Sequence, residues 1–154
     1  MEEHSAGAVV YTERPEGRRY LLLENGGRWD FPKGNMEKGE SELQTVLREV
    51  GEETGLKEIE LVPGFRKVIE YYYRRDGKNV HKKVTYMLGR TQDDNVKISF
   101  EHHGFGWYHY PQALDRASYD NSKSILAGAE KFLVAEAGRP TKVRTGPSDA
   151  ARPI

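Results

Sequence analysis

Residues 34–56 read GNMEKGESELQTVLREVGEETGL, and this stretch decides the fold of the chain. Ser41 lies where a helix N-cap is expected, because its hydroxyl can accept a hydrogen bond from a free N–H of the first turn. The apolar residues then recur at the spacing of an amphipathic helix, as Leu43, Val46, Leu47 and Val50. Gly55 ends this helix at the C′ position. The stretch therefore predicts a loop, a helix and a second loop.

Three carboxylates lie on one face of this predicted helix. Glu49, Glu52 and Glu53 stand at i, i+3 and i+4, so their side chains project together. Their mutual repulsion is costly unless a cation neutralises it, and ligation by oxygen alone selects hard ions such as Mg²⁺ or Mn²⁺. A run of charges on a helix is more often a solvated face. From the helix alone, both interpretations stay open.

The fixed positions of the stretch favour the metal interpretation. Gly34 is followed after five residues by Glu40, and after seven more by the run REVGEETGL of residues 48–56. This pattern resembles the Nudix box at every specified position. The resemblance implies an α/β protein, an α/β/α sandwich with a mixed β-sheet and a loop-helix-loop catalytic motif. It also implies a hydrolase that cleaves phosphoanhydride bonds with Mg²⁺ or Mn²⁺ as its cofactor.

The same resemblance gives the residues of the box their roles. It implies that Glu49, Glu52 and Glu53 are catalytic metal ligands. It further implies that a salt bridge between Arg48 and Glu40 ties the loop to the helix and orients Glu49. Three glycines would provide backbone geometry at tight turns that side chains would block, namely Gly34, Gly39 and Gly55.

Two segments outside the box resemble the diadenosine tetraphosphate hydrolases within this family. Residues 29–34, WDFPKG, are similar to the segment that leads into their box, whose lysine contacts phosphate, so Lys33 is expected to bind substrate. The strands expected after the helix are similar to a pair of strands in these hydrolases. One tyrosine of that pair lies under an adenine, which implies Tyr71. A lysine and a tyrosine of the pair lie near the phosphates, which implies Lys82 and Tyr86. An exposed loop lysine is commonplace, and strands favour tyrosine for packing, so structural interpretations stay open.

A third segment, SFEHH at residues 99–103, resembles the Glu-His segment of the same hydrolases, whose glutamate reaches the metal site. This implies Glu101 as a fourth catalytic carboxylate, acting as a metal ligand or general base, although a lone loop glutamate is usually solvated. Tyr119, near the start of the last predicted helix, matches a second aromatic that stacks on adenine. The sequence HGFG at residues 103–106 departs from the usual family pattern.

These resemblances predict metal-dependent hydrolysis of a phosphoanhydride bond in dinucleoside polyphosphates, above all asymmetric hydrolysis of diadenosine tetraphosphate to ATP and AMP, with a small nucleotide as the partner. A broader Nudix pyrophosphohydrolase remains an alternative, acting on RNA 5′ ends, diphosphoinositol polyphosphates or other nucleoside diphosphate derivatives. A non-catalytic nucleotide-binding module is an alternative of another class. The intact carboxylates argue against it, because degeneration of such a module should affect the metal ligands first.

The composition of the 154 residues is consistent with one globular domain. Lysine plus arginine equals aspartate plus glutamate at 24 each, so no net basic charge would hold a long nucleic acid. The chain has no cysteine, and no run approaches the length of a membrane span, which together favour a cytoplasmic location and no membrane partner. Nothing in the sequence fixes an oligomeric state.

The remaining elements follow from local composition. Strands are expected at residues 6–11 and 19–23 before the catalytic helix, and at residues 59–62, 65–73, 80–88 and 96–100 after it. A hairpin turn is expected at residues 74–78, and a second helical region at residues 111–136. We assign residues 1–137 to the Nudix domain and predict a disordered tail at residues 138–154, which are rich in Pro, Gly, Ser and Arg.

Overall fold

The structure, a computed structural model, describes residues 1–138 of the chain. Eight strands lie within these residues, β1 (Glu2–Arg14), β2 (Gly17–Asn25), β3 (Arg28–Asp30), β4 (Lys33–Asn35), β5 (Glu60–Leu61), β6 (Lys67–Arg75), β7 (Lys78–Arg90) and β8 (Gly104–His109). Three helices accompany them, α1 (Glu42–Thr54), α2 (Tyr110–Arg116) and α3 (Asp120–Ala137). In this part of the chain no helix is long and apolar enough to cross a membrane.

The strands form a mixed sheet in the order β3-β2-β1-β7-β5. β1 and β7 run parallel, in a register that pairs Glu2 with His81 and Tyr11 with Arg90. The other pairings are antiparallel, with β4 against the first half of β1, β6 against β7, and β8 against β2. The short β4 is thereby held beside the start of α1, so the loop that precedes the helix is fixed by the sheet.

Side chains that alternate along the strands supply two separate cores. On one face, residues such as Ala8, Val10 and Leu21 pack against Val46 and Val50 of α1. On the other face, alternate residues of the same strands, such as Val9 and Leu22, pack against Ala113 of α2 and against Leu126 and Ala129 of α3. The predicted α/β/α sandwich is therefore confirmed.

Helix α1 begins and ends where the sequence predicts. The Ser41 side chain accepts a hydrogen bond from the Gln44 N–H at 3.1 Å, and the Gln44 side chain accepts one from the Ser41 N–H at 2.9 Å, which completes a capping box. Gly55 closes the helix in the left-handed conformation at φ 74°. The buried stripe is narrower than predicted, because Leu43 and Leu47 are exposed while Val46 and Val50 are buried.

The strand predicted at residues 96–100 is wrong. Val96 and Ile98 pack against the apolar cluster under α1. The backbone of this segment bonds to the end of the helix, since Lys97 donates to the Thr54 carbonyl at 2.8 Å and Ser99 to the Glu53 carbonyl at 3.3 Å. These bonds replace the ladder of a strand. The strand that follows β7 is instead β8 at Gly104–His109, where two glycines hide the strand pattern.

The second helical region consists of two helices, because residues 117–119 leave the helical conformation between α2 and α3. The hairpin turn between β6 and β7 is confirmed, with Asp76 and Gly77 both at positive φ. Helix α3 ends at Ala137, and Gly138 caps it by donating to the Val134 carbonyl at 3.0 Å. The predicted tail lies outside the described residues from position 139 onward.

Candidate active site

A cavity of about 600 Å³ opens between α1, the β6–β7 hairpin and the start of α3. It is lined by side chains from distant parts of the sequence, including Arg28, Asp30, Lys33, Glu53, Tyr71, Tyr86, His102 and Tyr119. Four of the five residues predicted to bind substrate are in this set. Lys82, the fifth, is not among the lining residues.

Arg48 forms most of the hydrogen bonds where α1 meets the site. Its guanidinium donates to both carboxylate oxygens of Glu40, at 2.6 and 3.0 Å, and to the Asn35 carbonyl at 2.9 Å. It also donates to Glu49 at 2.7 Å and to Glu52 at 3.2 Å. Hydrogen bonds from Arg48 and from the Glu37 backbone lower the pKa of Glu40 to about 2. Arg48 therefore joins the loop before α1 to two carboxylates of the helix.

Gly34 is required for a reason that differs from the prediction. It lies in β4 and not in a turn, and a Cβ at this position would overlap the carboxylate of Glu49. Gly34 therefore makes room for a site residue. Gly39 and Gly55 do have the positive φ predicted for them, at 83° and 74°.

Glu53 points from α1 into the cavity and is 7% exposed. One of its carboxylate oxygens accepts a hydrogen bond from the Lys33 N–H at 3.2 Å. Burial, followed by the charge of the neighbouring Glu49 carboxylate, raises the pKa of Glu53 well above its usual range. A cation bound here would remove this penalty, because it would neutralise both carboxylates.

The loop after β7 brings two further possible metal ligands close to Glu53. One ligand atom each from Glu53, Glu101 and His102 lie within 4.8 Å of one another. The His102 Nε2 is 3.4 Å from a Glu53 oxygen, but neither ring nitrogen of His102, both buried, has a hydrogen-bond partner within residues 1–138. Buried polar atoms without partners and a buried carboxylate fit a divalent cation. These three residues could hold one.

Glu52 is the most exposed of the three predicted carboxylates of α1. Its side chain is 59% exposed, and it pairs with Arg48 at the i,i+4 spacing. The structure therefore brings Glu53 and Glu101 together, while Glu49 and Glu52 are bound to Arg48. Arg48 bonds one oxygen of each, Oε2 of Glu49 and Oε1 of Glu52, so the second oxygen of each carboxylate could ligate the same cation.

The opposite side of the cavity is basic and aromatic. The Lys33 ammonium pairs with Asp30 at 3.2 Å, and Asp30 accepts from the Ser122 hydroxyl at 2.7 Å. Burial alone would lower the pKa of Lys33, but the charge and hydrogen bond of Asp30 outweigh it, so the pKa is raised. Tyr71 and Tyr119 are 39% and 40% exposed, which leaves part of each ring open to the cavity.

Tyr86 and Lys82 occupy different surroundings. Tyr86 is 1% exposed and packs edge-on against Phe31, with ring centroids 5.6 Å apart, at the base of the cavity. Lys82 lies opposite Tyr71 in the β6–β7 ladder, but its ammonium contacts Asn35 at 2.8 Å and Glu3 at 3.3 Å. Its amine is thus directed toward the loop before α1.

Neither Arg28 nor His102 is among the site residues predicted from the sequence, although both line the cavity. Arg28 lies over the Tyr119 ring at 5.7 Å and donates to its hydroxyl at 3.3 Å. No sequence signal indicates Arg28, because the contact joins residues far apart in the chain. His102 had a signal, since it belongs to the same Glu-His segment as Glu101.

Comparison with known proteins identifies the family. The family model described as NUDIX domain matches residues 3–128. The chain belongs to the Nudix family. The asymmetrical bis(5′-nucleosyl)-tetraphosphatase of Mus musculus is 35% identical over 121 residues, which cover 74% of this chain and 80% of that protein. Its Caenorhabditis elegans counterpart is 30% identical over 137 residues, covering 86% and 98%.

A solved structure agrees with the sequence comparison. The crystal structure of a C. elegans Ap4A hydrolase binary complex superposes with a TM-score of 0.76 at 28% identity, covering 86% of this chain and 98% of that one. Family membership, these relatives and the intact box make the protein a Nudix hydrolase, a pyrophosphohydrolase of small nucleotide substrates.

Proposed function

We propose that this Nudix hydrolase cleaves diadenosine tetraphosphate asymmetrically, to ATP and AMP, and that the reaction depends on a divalent cation. One observation carries the proposal, namely that a single cavity holds two half-exposed tyrosines, a cationic lysine and a buried glutamate. Relatives named as asymmetrical bis(5′-nucleosyl)-tetraphosphatases support the same substrate.

Each group of the cavity has a distinct task in this reaction. Tyr71 and Tyr119 would stack on an adenine, since aromatic rings bind every base through its face. The Lys33 ammonium would pair with phosphate oxygens. Lys82 and Tyr86 stay as predicted contacts of the phosphates. When bound, the cation neutralises charge on the phosphates and activates a water molecule.

The carboxylates would hold the cation and receive a proton. Glu49, Glu52, Glu53 and Glu101 are the proposed ligands, with Arg48, Glu40 and Gly34 keeping the helix end in place. Water would form a new bond to the phosphorus of the AMP unit, and the bond from that phosphorus to the bridging oxygen would break. ATP would leave with the bonding electrons, while a carboxylate takes the proton of the water. Mg²⁺ or Mn²⁺ is the proposed ion, and a cytoplasmic location stays a prediction from the sequence.

Substrate profiling tests the proposal. The full chain, with Mg²⁺ or Mn²⁺, would be incubated with diadenosine tetraphosphate, nucleoside triphosphates, ADP-ribose, diphosphoinositol polyphosphates and 5′-triphosphorylated RNA, and the products separated by chromatography. We expect ATP and AMP in equal amounts as the fastest reaction, with kcat/KM at least about tenfold above the other substrates. A preference for RNA ends or diphosphoinositols would instead support the broader pyrophosphohydrolase. No hydrolysis of any substrate would support a nucleotide-binding module.

Contaminating hydrolases are the main risk of that experiment. Glu53→Gln, prepared in the same way, measures this background because it keeps the size of the buried side chain. Glu58→Gln is a matched control, since Glu58 is an exposed glutamate in the loop after α1 and does not line the cavity.

A further inference from the structure

The segment that carries His102 is fixed on both sides by backbone hydrogen bonds. The His102 N–H donates to the Ser99 carbonyl at 3.1 Å, and the His103 N–H donates to the Glu24 carbonyl of β2 at 2.8 Å. The Ser99 N–H in turn donates to the Glu53 carbonyl at 3.3 Å. The backbone of His102 is therefore fixed beside the end of α1 by the sheet and the helix together.

The ring of His102 has no hydrogen bond that explains its burial. Neither of its buried nitrogens has a hydrogen-bond partner in residues 1–138, although Nε2 is 3.4 Å from the carboxylate of Glu53. Buried imidazole nitrogens are normally satisfied by a donor, an acceptor or a metal. Here Nε2 faces a carboxyl group of the proposed metal site, and the ring lines the same cavity.

We propose that His102 is itself a ligand of the divalent cation, beside Glu53 and Glu101, and that its nitrogen makes the site prefer first-row transition ions to Mg²⁺. One ligand atom from each of the three residues fits within 4.8 Å, a spread that one ion can bridge. Mg²⁺ takes oxygen ligands almost entirely, whereas imidazole binds transition ions readily. The inference rests on the metal dependence proposed above and goes beyond the carboxylates of the box.

Pulsed EPR of the Mn²⁺-loaded full chain, without substrate, tests the ligand directly. A directly bound imidazole gives the Mn²⁺ signal a ¹⁴N modulation, and protein grown with ¹⁵N-histidine should show the corresponding ¹⁵N pattern. This comparison uses the wild-type sequence, so it does not depend on a variant that folds. Bound Mn²⁺ without nitrogen coupling would show that His102 is not a ligand.

Metal affinities measured by calorimetry test the preference. Loss of a group that only orients a metal ligand costs about 10- to 100-fold in metal affinity. His102→Gln would remove the ligand itself, so it should weaken Mn²⁺ and Co²⁺ binding at least about tenfold. Mg²⁺ binding should change less than about twofold, because oxygen and water ligands can replace the nitrogen. His103→Gln is the matched control, since the neighbouring imidazole is exposed and does not line the cavity.

The outcomes separate this inference from the proposed function. An equal loss of affinity for all three ions would make His102 a hydrogen-bond partner of Glu53 and overturn the inference. If the wild-type protein hydrolyses diadenosine tetraphosphate while its bound Mn²⁺ shows no nitrogen coupling, only the inference fails. If neither Mn²⁺ nor Mg²⁺ binds at all, the metal dependence fails with it.

Discussion

The carboxylate of Glu49 lies against the Cα of Gly34, in the space that a Cβ at this position would occupy. Arg48 also holds this carboxylate, by a hydrogen bond of 2.7 Å to Oε2. Strand β4 and helix α1 thus approach each other at the point where a site residue passes between them. The first glycine of the motif is therefore needed because a carboxylate fifteen positions later contacts it directly, and not because the backbone turns there.

Gly34→Ala should therefore harm activity more than stability. The added methyl meets the far end of a side chain, which can move aside without a shift of the backbone, but Glu49 then leaves the position set by Arg48. We expect kcat to fall at least about tenfold while Tm changes by only a few degrees, about the effect of 1 kcal/mol or less. Gly128→Ala in α3 is the control, because its Cβ would have only ordinary contacts at 3.8 and 3.9 Å. Wild-type kcat in Gly34→Ala would contradict this role of the glycine.

Mg²⁺ or Mn²⁺ should raise Tm. Folding brings Glu49, Glu53 and Glu101 near one another, and a cation that binds only this arrangement stabilises the folded state by mass action. Differential scanning fluorimetry across millimolar metal concentrations measures the effect, with equal ionic strength supplied by KCl as the control. Identical melting curves in metal chloride and KCl would count against a cation site.

Glu53→Gln should separate activity from stability. If the carboxylate holds the cation, turnover should fall at least about a hundredfold. In the metal-free protein the raised pKa means that ionisation of Glu53 opposes folding as pH rises above its usual 4.5. The neutral amide removes that cost, so the metal-free Tm of the variant near neutral pH should equal or exceed that of the wild type. Near-normal turnover would remove Glu53 from the site, and a large fall in Tm would mean that its charge is structural.

The parts of the site that the sequence predicts depend on local signals. The capping box at Ser41, the glycine after α1 and the i, i+3, i+4 spacing of the glutamates are all set within a few residues of the chain. The family resemblance extends this information to Tyr71 and Tyr119 through the order of strands and helices, and to Glu101 through the segment SFEHH.

The parts that the sequence does not predict depend on contacts between distant segments. Residues 96–100 have the composition of a strand, but their hydrogen bonds go to the end of α1, which no local pattern reveals. The same holds for Arg28 over Tyr119 and for the burial of the His102 ring. Glycine usually signals a turn, whereas the role of Gly34 is to admit a neighbouring side chain.

The Arg48–Glu40 bridge predicts a pH dependence of stability. The pKa of Glu40 falls from its usual 4.5 to about 2 in the folded state, chiefly through hydrogen bonds from Arg48. The folded state therefore holds this proton less tightly than the unfolded chain, so the stabilisation is complete above about pH 4.5 and is lost as pH falls toward about 2. Glu40→Gln should lower Tm at neutral pH, and its difference from wild type should narrow below about pH 4.5. Circular dichroism measures both, with Glu16→Gln in the β1–β2 turn as an exposed control. A difference that stays constant with pH would exclude a contribution from the Glu40 charge.

The stacking of an adenine between Tyr71 and Tyr119 gives the prediction that bears most directly on the substrate. Each ring should contribute about 1–3 kcal/mol, the range found for bases stacked on aromatic side chains. Alanine at either position should then weaken substrate binding by about ten- to a hundredfold. The loss should appear mainly in KM, because the stacked base lies away from the bond that breaks.

Phenylalanine variants distinguish the ring from the hydroxyl. Tyr71→Phe should cost little, because stacking needs only the ring. Tyr119→Phe also loses the 3.3 Å hydrogen bond from Arg28, so it should cost somewhat more. Tyr72→Ala is the matched control, since Tyr72 is exposed on the opposite face of the same strand and stacks on His81. Tyr71→Ala and Tyr119→Ala variants that keep the wild-type Tm and KM for diadenosine tetraphosphate would refute the sandwich. A lower Tm with unchanged KM would instead show that both rings serve packing, because a ring that contacts substrate cannot be removed without a kinetic effect.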